Sequence, residues 1–328
     1  MTIVLVTGAN GFVGVNIVHA LARKGANVLA LARAEPDPET HRFLSGVAKL
    51  VTWTQGDVRD REGLRDLVAE HGVERIVHSA AITPTPEVER DKTAAVIDVN
   101  LMGTVNVLEA ARVANANRVV LVSSSGLFGS PANPRRVLNE DETAEADTLY
   151  TVCKEASEKV CRLYARLHKL SVVSGRLGTA YGPMERASRS RKNMSLIYQL
   201  AHHALAGDVV RVSGSGRVRD FIHIGDAAKA FARLTLAPSL RWDRYNVAGE
   251  QVVTLRDVLQ ALKQLRPVFS WREVDDGEEA DVAIAPGRER APLSQERLRR
   301  DVAFEPRYDL NGGLRSYLDW LEAGGRTL

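Results

Sequence analysis

The stretch Thr7-Gly8-Ala9-Asn10-Gly11-Phe12-Val13-Gly14 constrains this chain more than any other. A short apolar run, Ile3-Val4-Leu5-Val6, precedes it and reads as a buried strand. An amphipathic pattern follows, with Val13, Ile17 and Leu21 on one helical face, and ends near Gly25. Strand, glycine-rich turn and helix in that order make a phosphate cradle. The glycines let the backbone approach a pyrophosphate, and the helix N-terminus offers N–H groups and a partial positive charge. Glycines alone would mark only a tight turn; the flanking strand and helix make the pattern specific. The expectation is a dinucleotide held by Gly8, Asn10, Gly11, Phe12, Val13 and Gly14.

Further along, strand-like runs at 28–31, 51–54, 75–78, 118–122 and 171–173 alternate with helical patterns at 60–70, 92–115 and 149–168. Such alternation predicts an α/β fold, a Rossmann-type doubly wound parallel sheet with helices on both faces. On the 149–168 helix, Val152, Ala156, Val160, Leu163 and Leu167 form an apolar stripe. Beyond residue 176 the alternation breaks. The expected division is a dinucleotide-binding domain over 1–175, with 219–250 contributing to it. A smaller substrate-binding lid domain is expected from 176–218 and 251–328. Near the C-terminus, the acidic run from Glu273 to Asp281 and the basic run from Arg288 to Arg300 read as solvated faces.

Composition narrows the partners. A formal net charge of +3 on 328 residues argues against a dedicated nucleic-acid binder. No run reads as long enough to span a bilayer and no leader pattern opens the chain, so the expected setting is cytoplasmic, away from membranes. Cys153 and Cys161 fit reduced thiols packed in one helix, and no metal-ligand cluster stands out.

At the end of the second strand an acid would grip the adenosine ribose of NAD, but Ala32 and Arg33 stand there. Arg33 can pair with a 2′-phosphate, which favours NADP and leaves NAD possible; otherwise Arg33 is a solvated loop residue. Asp57 either faces the adenine or caps the next helix. Tyr150 and Lys154, four apart on a helix, share a face. A nearby ammonium and a bound nicotinamide cation favour the tyrosine phenolate. Tyr150 can then take a proton from a substrate hydroxyl as hydride leaves the same carbon, with Ser124 at a strand end holding the oxygen. The cationic loop 184–193, with Arg186, Arg189, Arg191 and Lys192, suits an anionic substrate if it is more than a solvated loop; Arg186 is the residue singled out there.

The pieces TGANGFVG at 7–14, GDV at 56–58, HSAA at 78–81, VN at 99–100 with GT at 103–104, and SSSGLFG at 123–129 belong together with YTVCK at 150–154, YGP at 181–183, RDFIHIGD at 219–226 and YNV at 245–247. Over essentially the whole chain they resemble an extended short-chain dehydrogenase/reductase of the NAD-dependent epimerase/dehydratase family. The resemblance implies that Asp57 and Val58 flank the adenine and that Ala80 and Ala81 line the cofactor ribose. It implies that Ser124, rather than Ser123 or Ser125, is the catalytic serine, that Tyr150 is the acid–base group, and that Lys154 holds the nicotinamide ribose. Asn100 would help position the lysine through water, and Arg219 matches an arginine that touches a phosphate in nucleotide-sugar members. A homodimer pairing the two long helices is implied as well.

The departures matter too. Ser125 and Gly126 replace the acidic pair of the sugar-nucleotide dehydratases, which disfavours dehydration. Thr179 replaces an asparagine frequent in nucleotide-sugar epimerases, and Phe128 replaces a tyrosine, which would remove a substrate hydroxyl contact. Ser125, Thr179, Arg186 and Arg219 are expected to meet the substrate beside Ser124. The leading expectation is hydride transfer to or from a secondary alcohol or ketone of a sugar, sugar acid or related small molecule. The alternatives are a sugar epimerase that keeps its cofactor and, from another class, a non-catalytic NADP-binding sensor or scaffold.

Overall fold

The computed structural model describes residues 2–187 and 194–325; Arg189, Arg191 and Lys192 of the cationic loop lie outside the described residues. The first half alternates strand and helix: β1 (Ile3–Thr7), α1 (Phe12–Ala22), β2 (Asn27–Ala32), α2 (Pro38–Phe43), β3 (Val51–Gln55), α3 (Arg61–Glu70), β4 (Arg75–His78), α4 (Pro86–Asp91), α5 (Thr93–Ile97), α6 (Gly103–Val113), β5 (Arg118–Ser124), α7 (Leu149–His168) and β6 (Val172–Leu177). The second half is more broken: β7 (Thr179–Tyr181), α8 (Leu196–Ala206), β8 (Val209–Ser213), β9 (Val218–Arg219), β10 (Phe221–His223), α9 (Ile224–Leu236), β11 (Arg244–Val247), β12 (Val253–Thr254), α10 (Leu255–Leu265), β13 (Ser270–Glu273), β14 (Val282–Ala283), α11 (Glu296–Val302) and α12 (Leu310–Glu322).

Seven strands pair in the order β11-β6-β5-β4-β1-β2-β3, all parallel. A parallel sheet needs cover on both faces, and the strands supply apolar residues to both. Val4, Val6, Val28, Ala30, Val77 and Val120 face one core, with α1 and α9. Leu5, Leu29, Leu31, Ile76, Val119 and Leu121 face the other, with α3 and α6. The order reverses between β1 and β4, and this switch point opens a crevice at the strands' carboxyl ends. Helix α1 packs against β1 and β2 and against its neighbour α9, which itself contacts β4, β5 and β11, and so buries Val15, Asn16, Ile17 and Val18 together rather than one stripe.

A three-stranded parallel sheet, β13-β8-β14, packs with α8, α10 and α12 beside the main sheet. Val210, Val212 and Phe269 join the same core as α1 and α9, so packing runs without a break between the two regions. Within the small region, Arg211 and Arg217 pair with Glu279, Asp281 and Asp276, so these three acids of the run are held in ion pairs.

Two expectations need correction. The helix at 92–115 is interrupted by a π turn at Asp98–Met102, centred on Asn100. Thr93–Val113 is also long and apolar enough to cross a membrane; it is half buried and packs against α3 and α7, as a core helix does. The apolar stripe of α7 is the second correction. Val152, Leu163 and Leu167 are 41–60% exposed, while Thr151, Cys153, Lys154, Ser157, Glu158 and Cys161 face inward.

Candidate active site

The crevice holds two cavities of about 510 and 520 Å³ that share Gly8, Asn10, Gly11, Ser79 and Ala81, so they form one groove. Its floor is the glycine turn. Gly8 sits at φ +67°, and a Cβ there would lie 2.7 Å from the Ala80 Cα. A Cβ on Gly14 would lie 2.2 Å from the Gly8 carbonyl oxygen. Gly11 begins α1 with no side-chain cap and no acid in the first turn, so the helix N-terminus stays open to an anion. This cradle fits a dinucleotide pyrophosphate.

One half of the groove is lined by Ala32, Arg33, Asp57, Val58, Ala80 and Ala81, the residues expected at an adenosine, together with Arg59, which the sequence does not single out. Asp57 does not cap α3; Asp60 does that. Instead Asp57 binds Arg59 through both carboxylate oxygens, at 2.7 and 3.0 Å. That bond, against the cost of burial, holds its pKa below the ordinary value, with Arg33 adding a smaller pull.

The other half gathers Ser124, Ser125, Tyr150, Lys154, Thr179, Arg186 and Arg219. Ser124 ends β5 and caps the short turn Ser125–Phe128, its Oγ accepting from Gly126 N at 3.1 Å. Ser123 instead turns into the core and donates to Glu158 at 2.6 Å, and Glu158 is paired with buried Arg176 at 2.8 Å. Strand alternation thus separates the two serines. Thr148 caps α7 and so places Tyr150 in its first turn, where Tyr150 N donates to Glu89 at 3.1 Å. Lys154 is buried; its Nζ donates to the Val122 carbonyl at 2.8 Å and lies 5.8 Å from the Tyr150 ring centroid. Burial pushes its pKa down to about 8, despite the opposing pull of Cys161, Cys153 and Glu158.

Asn100 fastens the groove wall: its side chain donates to the Ile82 carbonyl at 2.9 Å and accepts from Ile82 N at 2.8 Å. Its own carbonyl takes Ser157 Oγ at 3.0 Å. His78 is a packed strand residue between Thr7 and Thr104. Burial drives its pKa down to about 3.

Arg290 escapes the sequence reading. Its place in a basic run suggests a solvated face, yet it lines the cleft and donates to the Gly129 carbonyl at 2.8 Å. A bridge between Leu138 and Leu293 ties down the segment that brings Arg290 to the cleft. Arg219 has a buried Nε without a partner, and burial together with Arg290 lowers its pKa to about 10. Phe128 is buried in a small core with Leu138 and Leu293, under the Arg176 guanidinium. Arg186 reaches the cleft, but its guanidinium is engaged by Asp37 and Glu39. Met194, Ser195 and Leu196, at the start of α8, complete the lining. Among the described residues this half contains no Asp, Glu, His or Cys.

A parallel sheet with a glycine turn at its switch point, facing a serine and a Tyr-Lys helix, defines a nicotinamide-dependent enzyme of the short-chain dehydrogenase/reductase superfamily. The chain belongs to the NAD dependent epimerase/dehydratase family, whose pattern it matches over residues 4–248. A dTDP-4-dehydro-6-deoxy-D-allose reductase of Streptomyces bikiniensis is 29% identical over 97% of this chain and 95% of its own. Sterol demethylase protein B of Methylococcus capsulatus is 33% identical over 80% of this chain and 74% of its own. Among solved structures, the Thermus thermophilus UDP-glucose 4-epimerase in complex with NAD has a TM-score of 0.79 at 27% identity, covering 98% of this chain and 99% of that one.

Proposed function

We propose that this enzyme moves hydride to or from a secondary alcohol or ketone carbon of a nucleotide-linked sugar, with Tyr150 as the acid–base group. One observation carries the reading. Arg219 and Arg290 line a cleft half that contains no carboxylate among its described residues, and Tyr150, Ser124 and Lys154 line the same cavity. The cations suit a substrate with several negative charges, such as a nucleoside diphosphate. A cleft without carboxylic acids suits proton transfer by the tyrosine and disfavours elimination of water. The reductase and epimerase relatives act, by their names, on nucleotide sugars.

When bound along the glycine turn, the nicotinamide cofactor supplies or accepts the hydride. This chain's residues do the rest. Ser124 Oγ holds the reacting oxygen, Tyr150 Oη takes or gives its proton, and the Lys154 ammonium favours the phenolate. Ala32 and Arg33 at the adenosine end support a preference for NADP over NAD. The exposed stripe of α7 supports a homodimer.

The test starts with calorimetric titration of NADP and NAD, followed by a panel of dTDP- and UDP-linked sugars and ketosugars, scored for net change of reduced cofactor and for isomerised product. The expected result is NADP turnover on a nucleotide-linked member, lost by roughly a hundredfold or more in Tyr150→Phe. Tight NAD with isomerised product and no net turnover would replace this with the epimerase reading. Turnover surviving in Tyr150→Phe would remove the proposed mechanism.

A further inference from the structure

The sequence assigns Arg186 to the substrate; the structure places it in the lining of the cavity that holds Ser124 and Tyr150 and ties its guanidinium to the start of α2. The stretch that carries it is fixed at each residue. The Pro183 carbonyl accepts from Asn16 Nδ2, in the second turn of α1, at 3.0 Å. Met184 is buried and held at φ +70°, an uncommon conformation for a side chain of that size. Glu185, also buried, takes both the N–H and the hydroxyl of Ser195 at 2.7 Å, fastening the stretch to the start of α8. Arg186 then reaches across to α2. It donates to Thr40 Oγ1 at 2.8 Å and Glu39 Oε2 at 2.9 Å, pairs with Asp37 Oδ2 at 3.0 Å, and touches Asn10 Oδ1 at 3.4 Å. Asn10 lines both halves of the groove. A strap therefore runs from the cavity beside the glycine turn to the start of α2.

The charges on this strap pose a physical problem that its arginine resolves. Two carboxylates stand beside a cradle built for phosphate, where like charge opposes binding. Arg186 contacts both and reduces their combined charge from −2 to −1. Its four Nη hydrogens serve Asp37, Glu39, Asn10 and Thr40, which leaves the Nε–H and the delocalised charge for an anion at the glycine turn.

We propose that Arg186 is a cofactor-retaining residue: it masks Asp37 and Glu39 and closes the groove over the dinucleotide's pyrophosphate, slowing its release. This rests on the dinucleotide reading of the groove. The substrate's negative charge is left to Arg219 and Arg290.

The test is the rate of cofactor release, read by stopped-flow displacement of reduced NADP or NAD from the whole protein without substrate. Arg186→Gln is expected to release cofactor roughly tenfold faster or more. In the Arg186→Gln/Glu39→Gln double variant, with one repelling carboxylate removed, part of that loss should be recovered. Glu39→Gln alone should release cofactor no faster than wild type, and this holds the proposal to account if Arg186→Gln fails to fold. Unchanged release from Arg186→Gln, or a rise confined to substrate KM, would overturn the proposal. So would a Glu39→Gln variant that releases faster. Wild-type protein binding neither cofactor would overturn the dinucleotide reading itself and this inference with it.

Discussion

Lys154 shows how the proposed catalytic arrangement strains against stability at a single residue. Its ammonium is buried, with a hydrogen bond to the Val122 carbonyl, and its pKa falls from the ordinary 10.5 to about 8. A lysine that titrates lower folded than unfolded destabilises the fold wherever the unfolded chain stays charged. Stability therefore rises as pH climbs from about 8 to 10.5, and at pH 7 the full cost, on the order of 3 kcal/mol, is present. Replacing the lysine with methionine removes that cost and forfeits a hydrogen bond worth roughly 1 kcal/mol. Lys154→Met apoprotein should therefore unfold at higher denaturant at pH 7, by about 2 kcal/mol, with the gain gone above pH 10.5, while cofactor affinity falls. A less stable variant at pH 7 would show that the ammonium is better satisfied than its burial indicates. The Tyr-Lys spacing was legible because four residues on a helix fix a shared face. Arg290 was not, because a chain-distant bridge between Leu138 and Leu293 brings it to the cleft.

Among the elements, α7 departs furthest from a simple pattern. Its sequence offers an apolar stripe, yet the sheet side takes Lys154, Ser157 and Glu158. Those polar residues have partners inside: the Val122 carbonyl for Lys154, the Asn100 carbonyl for Ser157, and Ser123 with Arg176 for Glu158. Val152, Leu163 and Leu167 of the apolar stripe are left outward while Val160 packs partly on the core, and Met102, after α5, is exposed as well. Exposed apolar residues gathered on a helix mark an interaction face. Leu163→Glu/Leu167→Glu should convert a dimer to a monomer in sedimentation at micromolar concentration, with the monomer's secondary structure retained. Wild-type protein already sedimenting as a monomer would dispose of the dimer. Periodicity located the stripe but not its surroundings, since the same spacing serves a face turned to the core and one turned outward.

For the whole molecule, acid stability reports on how the sheet is tied together. His78 joins β4 to Thr7 of β1 and Thr104 of α6, and burial keeps its ring neutral with a pKa of about 3 rather than 6.5. Between those values the unfolded chain binds a proton that the folded chain refuses. This group's contribution is therefore present above pH 6.5 and lost as pH falls, by roughly 1.4 kcal/mol per unit. His78→Asn, measured by urea unfolding from about pH 7 to 4, should lose stability less steeply on acidification by about one proton. Parallel wild-type and variant curves would show that His78 is charged in the fold. The α/β alternation, the glycine cradle and the Tyr-Lys face are all written in the chain itself, because each follows from local spacing and backbone geometry. Long-range packing was needed to bring Arg290 to Arg219, to put Phe128 in a core, to turn Arg186 toward Asp37 and Glu39, and to choose the buried face of α7. Those outcomes depend on partners far away in the chain, and burial and charge pairing are properties of what a side chain meets, which no local pattern records.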